Sequence, residues 1–473
     1  MGEEIVYRRA KSWQLALAVM SQVVPTALVI LMTFASYVAV GVYGATSVLA
    51  GTIITGTRIF DAVTDPVCGF LTTRLKSKFG RVRPLLVVGW LVVALAISLM
   101  FILCPGKGNV AVFVLIYILY IIGYTIYNTG DGMVAAIITN DPKQRPMVGR
   151  WAAVFKSIFS GTFSMILAAT LMPKHGYQYG LPLFKDLAIL MIAITGLFTA
   201  LAVFAISASK NDVPETYKDV NATPIKFSEM FRMIGKSRPL QMFTIAAASD
   251  ALAMQTASQS AINVMIFGIC IGNYRFSGSI SLYMTAVTVA MLFLTSGIAK
   301  KNGTKKTLLQ WTWFSMIAYA GMYIFMLTVD TLAITKVGIL TVGFIILRCL
   351  MNATQMTVSS CTFPMIADIT DYELSQSGHF SPSIVAMTYS FVQKLISSLG
   401  ATIVGLAVAG IGYVNAMPQA TDAFSRPILN TALFLWLGMP MLGYVCTIVA
   451  MKFYKLDKNK MEEIAKKNSE IGR

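Results

Sequence analysis

The feature that most constrains the fold is a series of long apolar segments along the whole chain. Of the 473 residues, 56% are hydrophobic and only 12% are charged, against roughly 25% charged in soluble domains. About twelve segments reach the roughly 20 residues that a helix needs to cross a bilayer. They lie near 13–41, 45–73, 83–104, 109–137, 148–172, 184–207, 238–268, 274–300, 306–329, 333–366, 383–414 and 428–455. No alternating strand pattern appears, so the sequence predicts an all-α integral membrane protein.

The basic residues indicate the orientation of these helices. Lys and Arg precede the first span and cluster after the second and the fourth, whereas 41–45 contains none. By the positive-inside rule both termini are predicted to be cytoplasmic. The net charge of +17 therefore reflects topology and contacts with lipid headgroups, and no nucleic-acid partner is expected.

A polar segment divides the spans into two sets of six. The predicted parts are an N-terminal half, 1–207, a cytoplasmic central loop, 208–238, and a C-terminal half with a cytoplasmic tail, 239–473. A basic loop with a glycine follows the second span of each half, at Gly80 and at Gly303. Two pseudo-symmetric six-helix halves are typical of the major facilitator fold, whose substrate site lies near the midplane.

The polar residue types exclude several classes of protein. The six cysteines are isolated and the chain has two histidines, so no metal site and no disulfide framework are predicted. No nucleophile–base set and no phosphate-binding loop of an ATP-driven pump occur. We therefore expect neither an enzyme nor a cofactor.

Two acids lie inside the second apolar segment. Asp61 and Asp65 are four residues apart, which places them on one face of a helix. A charge at the bilayer centre costs roughly 2.5–3.5 kcal/mol on insertion scales, so these acids are functional candidates. The alternative is a pair of acids at a helix end held by Arg58.

Several motifs in order resemble those of the glycoside-pentoside-hexuronide:cation symporters, the melibiose permease family. The first two, Arg58–Pro66 and Gly80–Pro84, are the most specific to that family. The complete set is Arg58–Pro66, Gly80–Pro84, Tyr124–Gly132, Ser237–Leu240, Gly303–Lys306, Ala367–Tyr372 and Tyr389–Leu395. Together they cover nearly the whole chain. The resemblance implies symport of a sugar or glycoside with H⁺ or Na⁺ in a bacterial cytoplasmic membrane, by a protein that we expect to act as a monomer.

The resemblance also implies a cation site. Asp61 and Asp65 would bind the coupling cation, with Thr64 as an oxygen ligand. Asn128, with Thr125 one turn earlier, would be shared between the cation and the sugar. Since asparagine stands where melibiose permease has an aspartate, H⁺ is favoured over tightly bound Na⁺.

Asp131 follows three residues later, where the family usually has an aromatic residue. It either restores a carboxylate to the same helical face or lies nearer the outer leaflet and is solvated. The first span has no acid, so galactoside recognition of the melibiose type is not expected. At that level Gln22 is among the polar side chains that remain.

Three further residues match family positions near the sugar. Arg150 would contact the sugar near the cytoplasmic gate, or its side chain would extend to lipid headgroups. Lys394, without a local acid partner in its span, favours a pocket or interdomain role. Phe363 would stack on a sugar ring or pack in the core.

Arg348 lies in the tenth span, where a base is unusual for the family. If Arg348 and Lys394 face the cavity, the pocket is cationic and an acidic glycoside such as a hexuronide becomes the favoured substrate, because Arg pairs bidentately with carboxylates. The alternative is an ion pair between Arg348 and Asp250.

Charged loop residues predict a gate. Arg81, Arg83 and Lys305 would face acids of a later segment, Asp368, Asp371 or Glu373, in charge pairs that form and break during alternating access. The alternative is a set of solvated loop charges. For the whole protein, the rival functions are transport of a non-sugar or lipid substrate by the same fold, and uncoupled facilitated transport.

Overall fold

The computed structural model describes residues 9–73, 77, 79–105, 109–139, 141, 144–209, 212, 227–336, 338–377 and 382–470. At some positions within helices, Asp65 and Phe363 among them, the side chain lies outside the described residues. All regular secondary structure of the described part is helical, and no strand occurs in it. The prediction of an all-α protein is confirmed to this extent.

The chain divides into two compact units. The N-terminal unit comprises Met1–Pro224 with Asn415–Met417, and the C-terminal unit comprises Ile225–Val414 with Pro418–Arg473. The helices of the N-terminal unit are α1 (Ser12–Ala18), α2 (Met20–Met32), α3 (Ala35–Gly41), α4 (Ser47–Thr73), α5 (Val82–Ser98), α6 (Val110–Ile138), α7 (Arg145–Ile166), α8 (Met172–Lys174) and α9 (Leu181–Ser209). Single π-helical turns extend α5 through Leu99–Leu103 and α7 through Leu167–Leu171.

The C-terminal unit is helical in the same way. Its helices are α10 (Phe227–Lys236), α11 (Arg238–Ala257), α12 (Ser260–Asn263), α13 (Tyr274–Asn302), α14 (Thr304–Thr328), α15 (Ile339–Ser360), α16 (Thr362–Ser377), α17 (Pro382–Ser397), α18 (Leu399–Gly410), α19 (Arg426–Leu433), α20 (Met439–Phe453) and α21 (Lys458–Glu470). Two π-helical turns, Val264–Cys270 and Phe434–Gly438, follow α12 and α19, and a 3₁₀ turn, Thr331–Thr335, precedes α15.

Eight helical segments of the described residues are long and apolar enough to cross a membrane. They are Ser12–Gly41, Val82–Leu103, Val110–Ile138, Met147–Lys174, Leu181–Ser209, Ile339–Gln376, Ile384–Gly410 and Arg426–Phe453. The other four predicted spans correspond to the long helices α4, α11, α13 and α14. Two of these helices contain acidic residues within their apolar sequence, Asp61 in α4 and Asp250 in α11.

Glycines set the closest helix contacts of the N-terminal unit. A Cβ atom on Gly89 of α5 would lie 2.5 Å from the backbone nitrogen of Tyr127 in α6. A Cβ on Gly130 of α6 would lie 2.9 Å from Cβ of Leu85 in α5. Small residues allow helix backbones to approach in a membrane, where no hydrophobic force drives the helices together. The α5–α6 contact holds α6, and with it the polar residues discussed next.

The start of α5 is fixed by a residue from the central segment. The Asp212 carboxylate accepts hydrogen bonds from the backbone N–H groups of Arg81 (3.0 Å) and Arg83 (3.2 Å). Gly80, with φ of 81°, leaves the space, because a Cβ there would lie 2.2 Å from the Asp212 carboxylate. An acid at the N-terminus of a helix satisfies its free N–H groups and favours its dipole.

Candidate functional site

A buried polar position in the described part of the N-terminal unit surrounds Asp61 in α4. Asp61 is 9% exposed, and the Thr125 hydroxyl of α6 donates a hydrogen bond to its Oδ1 over 2.7 Å. Thr64 donates to the backbone carbonyl of Asp61 (3.1 Å), as is common for threonine within a helix. Asp65 lies on the same helix, but its side chain is outside the described residues.

Phenol groups of α6 complete the surroundings of Asp61. Tyr117 and Tyr120 are buried and lie close enough to Arg58 and Asp61 for both charges to act on them. The Tyr120 hydroxyl is buried and has no hydrogen-bond partner among the described residues. The arrangement brings carboxylate, hydroxyl and phenol oxygens together, and hard cations prefer oxygen ligands of these kinds.

Asp131 occupies a second polar position on α6. It is 8% exposed, and its Oδ1 accepts a hydrogen bond from the Ser21 hydroxyl of α2 over 2.7 Å. The charge of Lys156 in α7 also acts on it. Of the two alternatives given above, the structure therefore shows a buried carboxylate. Its partner is Ser21, the neighbour of the predicted residue Gln22.

The other predicted substrate residues of this unit differ in exposure. Gln22 on α2 and Asn128 on α6 are half-buried, whereas Arg150 on α7 is exposed. Asn128 lies between Thr125 and Asp131 along α6, at the helical spacing of three that places neighbours side by side. The exposed position of Arg150 fits the alternative in which its side chain extends to lipid headgroups.

Two adjoining cavities lie within the C-terminal unit. The first, of about 440 Å³, is lined by Phe243, Ala246, Ala247, Asp250, Ala251, Met254, Leu308, Gln355, Val358, Ser359, Thr362, Met365, Tyr389, Gln393, Tyr444 and Thr447. The second, of about 500 Å³, is lined by Ala251, Met254, Gln255, Ala257, Ser258, Tyr319, Arg348, Gln355, Gln393, Ser397 and Trp436. Four residues line both, which are Ala251, Met254, Gln355 and Gln393.

Arg348 is the cationic residue in the lining of the second cavity. Its guanidinium carbon lies 5.1 Å from the centre of the Trp436 ring, a cation–π contact. Its Nε is buried and has no hydrogen-bond partner in the described part of the chain. The ion pair with Asp250, the alternative raised from the sequence, does not form within these residues. The aromatic ring thus orients a guanidinium that keeps hydrogen-bonding capacity for a ligand.

The two remaining C-terminal candidates are placed differently. Lys394 is half-buried on α17 and is not among the residues that line the two cavities. Gln393 and Ser397, four residues apart on one face of the same helix, line the second cavity. Phe363 lies in α16, with its side chain outside the described residues. The residues Gln355, Gln393 and Trp436 were not predicted from the sequence. The spacing of Tyr389, Gln393 and Ser397 was the available signal, since polar residues four apart share a helical face.

The predicted gating residues form other contacts. Besides its backbone bond, Arg83 donates through Nε to the Asp212 carboxylate (3.2 Å) and through Nη2 to the Asp212 carbonyl (2.9 Å). Arg81 is half-buried at the same turn, its N–H bound to Asp212. The partner of Arg83 is therefore the buried acid Asp212. This carboxylate caps the N-terminus of α5 and also forms an ion pair with the Arg83 side chain.

The gating residues of the C-terminal unit lie near its tail. Lys305 donates to the backbone carbonyl of Tyr454, which follows α20. Asp371 is exposed, and its carbonyl accepts from Asn468 of α21 over 3.0 Å, while Asp368 is half-buried one turn earlier. Lys305 thus binds a carbonyl oxygen where the sequence predicted a carboxylate. The role of these residues as a gate stays a prediction.

Long apolar helices in two units, with buried acids and a polar cavity, define a multi-pass membrane protein of the transporter class. A profile described as "MFS/sugar transport protein" matches residues 14–458. The chain belongs to this family of major facilitator transporters, and it is not an enzyme. The resemblance to the glycoside-pentoside-hexuronide:cation symporters is thereby confirmed.

Individual relatives agree with the family. The chain is 24% identical over 440 residues to an isoprimeverose transporter of Lactiplantibacillus pentosus, covering 90% of this chain and 85% of that protein. It is 22% identical over 442 residues to the putative glycoside/cation symporter YagG of Escherichia coli strain K12, covering 92% and 90%. Among solved structures, the nucleoside transporter NupG matches with a TM-score of 0.61 and 12% identity, over 94% of this chain and 100% of that one. The last similarity shows the fold alone.

Proposed function

We propose that this transporter couples the movement of a sugar to that of a monovalent cation, H⁺ or Na⁺, by alternating access across the cytoplasmic membrane. The observation that carries the proposal is the buried Asp61 carboxylate of α4, held at 2.7 Å by the Thr125 hydroxyl of α6, a helix long and apolar enough to cross the membrane. A charge there is costly unless the protein uses it. A cation bound at Asp61 neutralises the charge of the carboxylate. The cation-loaded and empty forms of the transporter therefore differ in the free energy of the change between the outward-facing and inward-facing conformations.

This proposal includes a twelve-span topology. In it, α4, α11, α13 and α14 cross the bilayer together with the eight apolar segments. Their polar side chains would face the interior of the units, where ionisable residues of membrane helices usually lie. The protein acts as a monomer in this proposal, with both termini cytoplasmic.

The proposed substrate is an acidic glycoside of the hexuronide class. Arg348 supports it, because a guanidinium oriented by Trp436 and lacking a partner at Nε can pair with a carboxylate. The amides of Gln355 and Gln393 and the Ser397 hydroxyl line the same cavity, and groups of this kind hydrogen-bond to sugar hydroxyls. A neutral glycoside would leave the guanidinium without its counter-charge.

The test uses cells that lack a membrane potential and express the protein in weak buffer. Methyl glucuronide and methyl glucoside, a matched acidic and neutral pair, are added with and without Na⁺ while external pH is recorded. Alkalinisation by the glucuronide alone would support proton symport of an acidic sugar. Uptake that needs Na⁺ without a pH change would instead assign Na⁺ to Asp61.

Variants separate the two parts of the proposal. Asp61→Asn is expected to abolish coupled uptake, whereas Asp186→Asn, which alters a half-buried acid paired with Lys174 outside the cavities, should leave it intact. Arg348→Gln is expected to reduce glucuronide uptake at least tenfold, a change that corresponds to about 1.4 kcal/mol. Unchanged glucuronide transport by Arg348→Gln would rule out the acidic substrate, and coupled transport by Asp61→Asn would rule out the cation site.

A further inference from the structure

A further acid, Asp250, lies half-buried in the C-terminal unit and has no role in the proposed function so far. It is on α11 and lines the first cavity, whose other lining residues are mostly apolar, with Phe243, Leu308 and Met365 among them. An ionised carboxylate in such surroundings is unfavourable unless a cation or hydrogen-bond donors compensate it.

The contacts of Asp250 supply that compensation only in part. Its Oδ1 is buried and has no hydrogen-bond partner within the described part of the chain. The absence of a side chain at Gly443 lets α20 approach, since a Cβ there would lie 3.2 Å from this oxygen. The Thr447 hydroxyl is close enough to act on the Asp250 carboxylate as a hydrogen-bond donor, and it also reaches the Ala246 carbonyl (3.3 Å).

The ionisable groups that face Asp250 are phenols from three other helices. Tyr319 of α14, Tyr389 of α17 and Tyr444 of α20 lie close enough for its charge to act on them. The Tyr444 hydroxyl is itself buried without a partner among the described residues. Arg348, the base lining the adjoining cavity, contacts Trp436 and forms no ion pair with Asp250 there.

A carboxyl group without a neighbouring cation is satisfied most simply by a proton. On protonation an O–H bond forms on Asp250, the side chain changes from −1 to neutral, and the group becomes a hydrogen-bond donor as well as an acceptor. We propose that Asp250 is a second proton-binding site, in the C-terminal half, whose proton is taken up and released during the transport cycle. This inference rests on the proposed coupled transport for its cycle, but not for proton binding itself.

The cavities offer a route by which a ligand could affect this proton. Ala251, Met254, Gln355 and Gln393 line both cavities. A sugar that contacts these residues in the second cavity would therefore alter the lining of the first one. Sugar binding would change the polarity around Asp250 and hence its affinity for a proton. By thermodynamic linkage, the proton on Asp250 would change the affinity for the sugar by the same factor.

The first test needs no sugar. Purified protein in lipid is titrated with base while the infrared C=O stretch of protonated carboxylic acids is recorded, for wild type, Asp250→Asn and Asp61→Asn. We expect a band that disappears at high pH, is missing in Asp250→Asn, and remains in Asp61→Asn and in Asp250→Glu. Identical bands in wild type and in a folded Asp250→Asn protein would overturn the proposal.

The second test measures the cycle. Vesicles containing each protein take up labelled methyl glucuronide while a pH electrode records the protons that accompany it. If Asp61 and Asp250 each carry one proton per sugar, we expect the proton-to-sugar ratio to fall by about half in Asp250→Asn, and an unchanged ratio would refute a cycling proton at Asp250. If wild-type vesicles show no coupled uptake at all, the proposed function fails, and the infrared band still decides whether Asp250 binds a proton.

Discussion

At the scale of single residues, hydroxyl groups hold two of the buried acids of this protein. Thr125 donates to Asp61, and Ser21 donates to Asp131, each over 2.7 Å. Both bonds join residues far apart in the chain. The acids could be recognised from the sequence because charge is rare in apolar segments. The donor of each acid was harder to assign, because many hydroxyls share the same helical faces.

The Thr125 hydroxyl leads to a prediction about ion affinity. Thr125→Val keeps the shape of the side chain but removes the donor to Asp61, and an unsatisfied buried acceptor costs about 1–3 kcal/mol. Because this hydrogen bond stabilises the ionised carboxylate more than the protonated one, its loss favours the loaded site, and the proton concentration for half-maximal uptake should fall by about tenfold. The measurement is uptake as a function of pH and of Na⁺.

Two variants serve as controls for this prediction. Thr125→Ser keeps a hydroxyl and should behave nearly as wild type. Thr129→Val removes a similar hydroxyl one turn along α6, where it donates to the Thr125 backbone carbonyl over 2.7 Å, and should not change the ion dependence. Equal shifts in Thr125→Val and Thr129→Val would mean that the effect is structural.

At the scale of helices, close contacts depend on glycine rather than on apolar character. The prediction of a helix at each described apolar segment followed from length and composition. The α5–α6 contact did not, because it depends on which glycines face each other. Gly89 meets the Tyr127 backbone, whereas a Cβ on Gly132 would have nothing within 4 Å.

This difference predicts opposite effects of two alanine substitutions. Gly89→Ala should separate α5 from α6 and destabilise the protein by about 1–3 kcal/mol, as overpacking does. Gly132→Ala should be neutral or stabilising by up to about 1 kcal/mol, since alanine is the better helix former. Thermal unfolding of the purified proteins in detergent measures both, and a Gly89→Ala midpoint at or above that of Gly132→Ala would contradict the packing argument.

The start of α5 shows a second limit of prediction at this scale. Arg83 was expected to act in a gate, and the structure gives it a partly buried ion pair with Asp212. The central segment reads as a polar loop, and nothing in its composition distinguishes Asp212 from the other acids in it. The cap requires Gly80 with positive φ and the first N–H groups of α5 in one place, which is a tertiary arrangement.

At the scale of the whole molecule, basic loops predict the orientation in the membrane. Both termini should be cytoplasmic, because Lys and Arg are concentrated in the loops that follow the second, fourth, sixth and eighth spans. A fluorescent protein fused after Arg473 should therefore fluoresce, and a phosphatase fused there should be inactive. A phosphatase inserted at 105–108 should be active. The reverse pattern of fusion activities would contradict the predicted topology, and it would place the charged loop residues of the predicted gate on the outer side of the membrane.

The sequence by itself determined the helical, membrane-spanning class, the transporter family and the candidate acids Asp61 and Asp131. The class follows from hydropathy, which shows which segments can lie in lipid, and the family follows from local motifs. The acids stand out because charged residues are rare within apolar segments. Only the tertiary structure decided that Asp61 is bonded to Thr125, that Arg348 contacts Trp436 rather than Asp250, and that Asp212 caps α5. Such pairings depend on which helix faces meet and how closely their backbones approach. Hydropathy does not encode this geometry, because lipid-facing and protein-facing apolar residues look alike in the sequence.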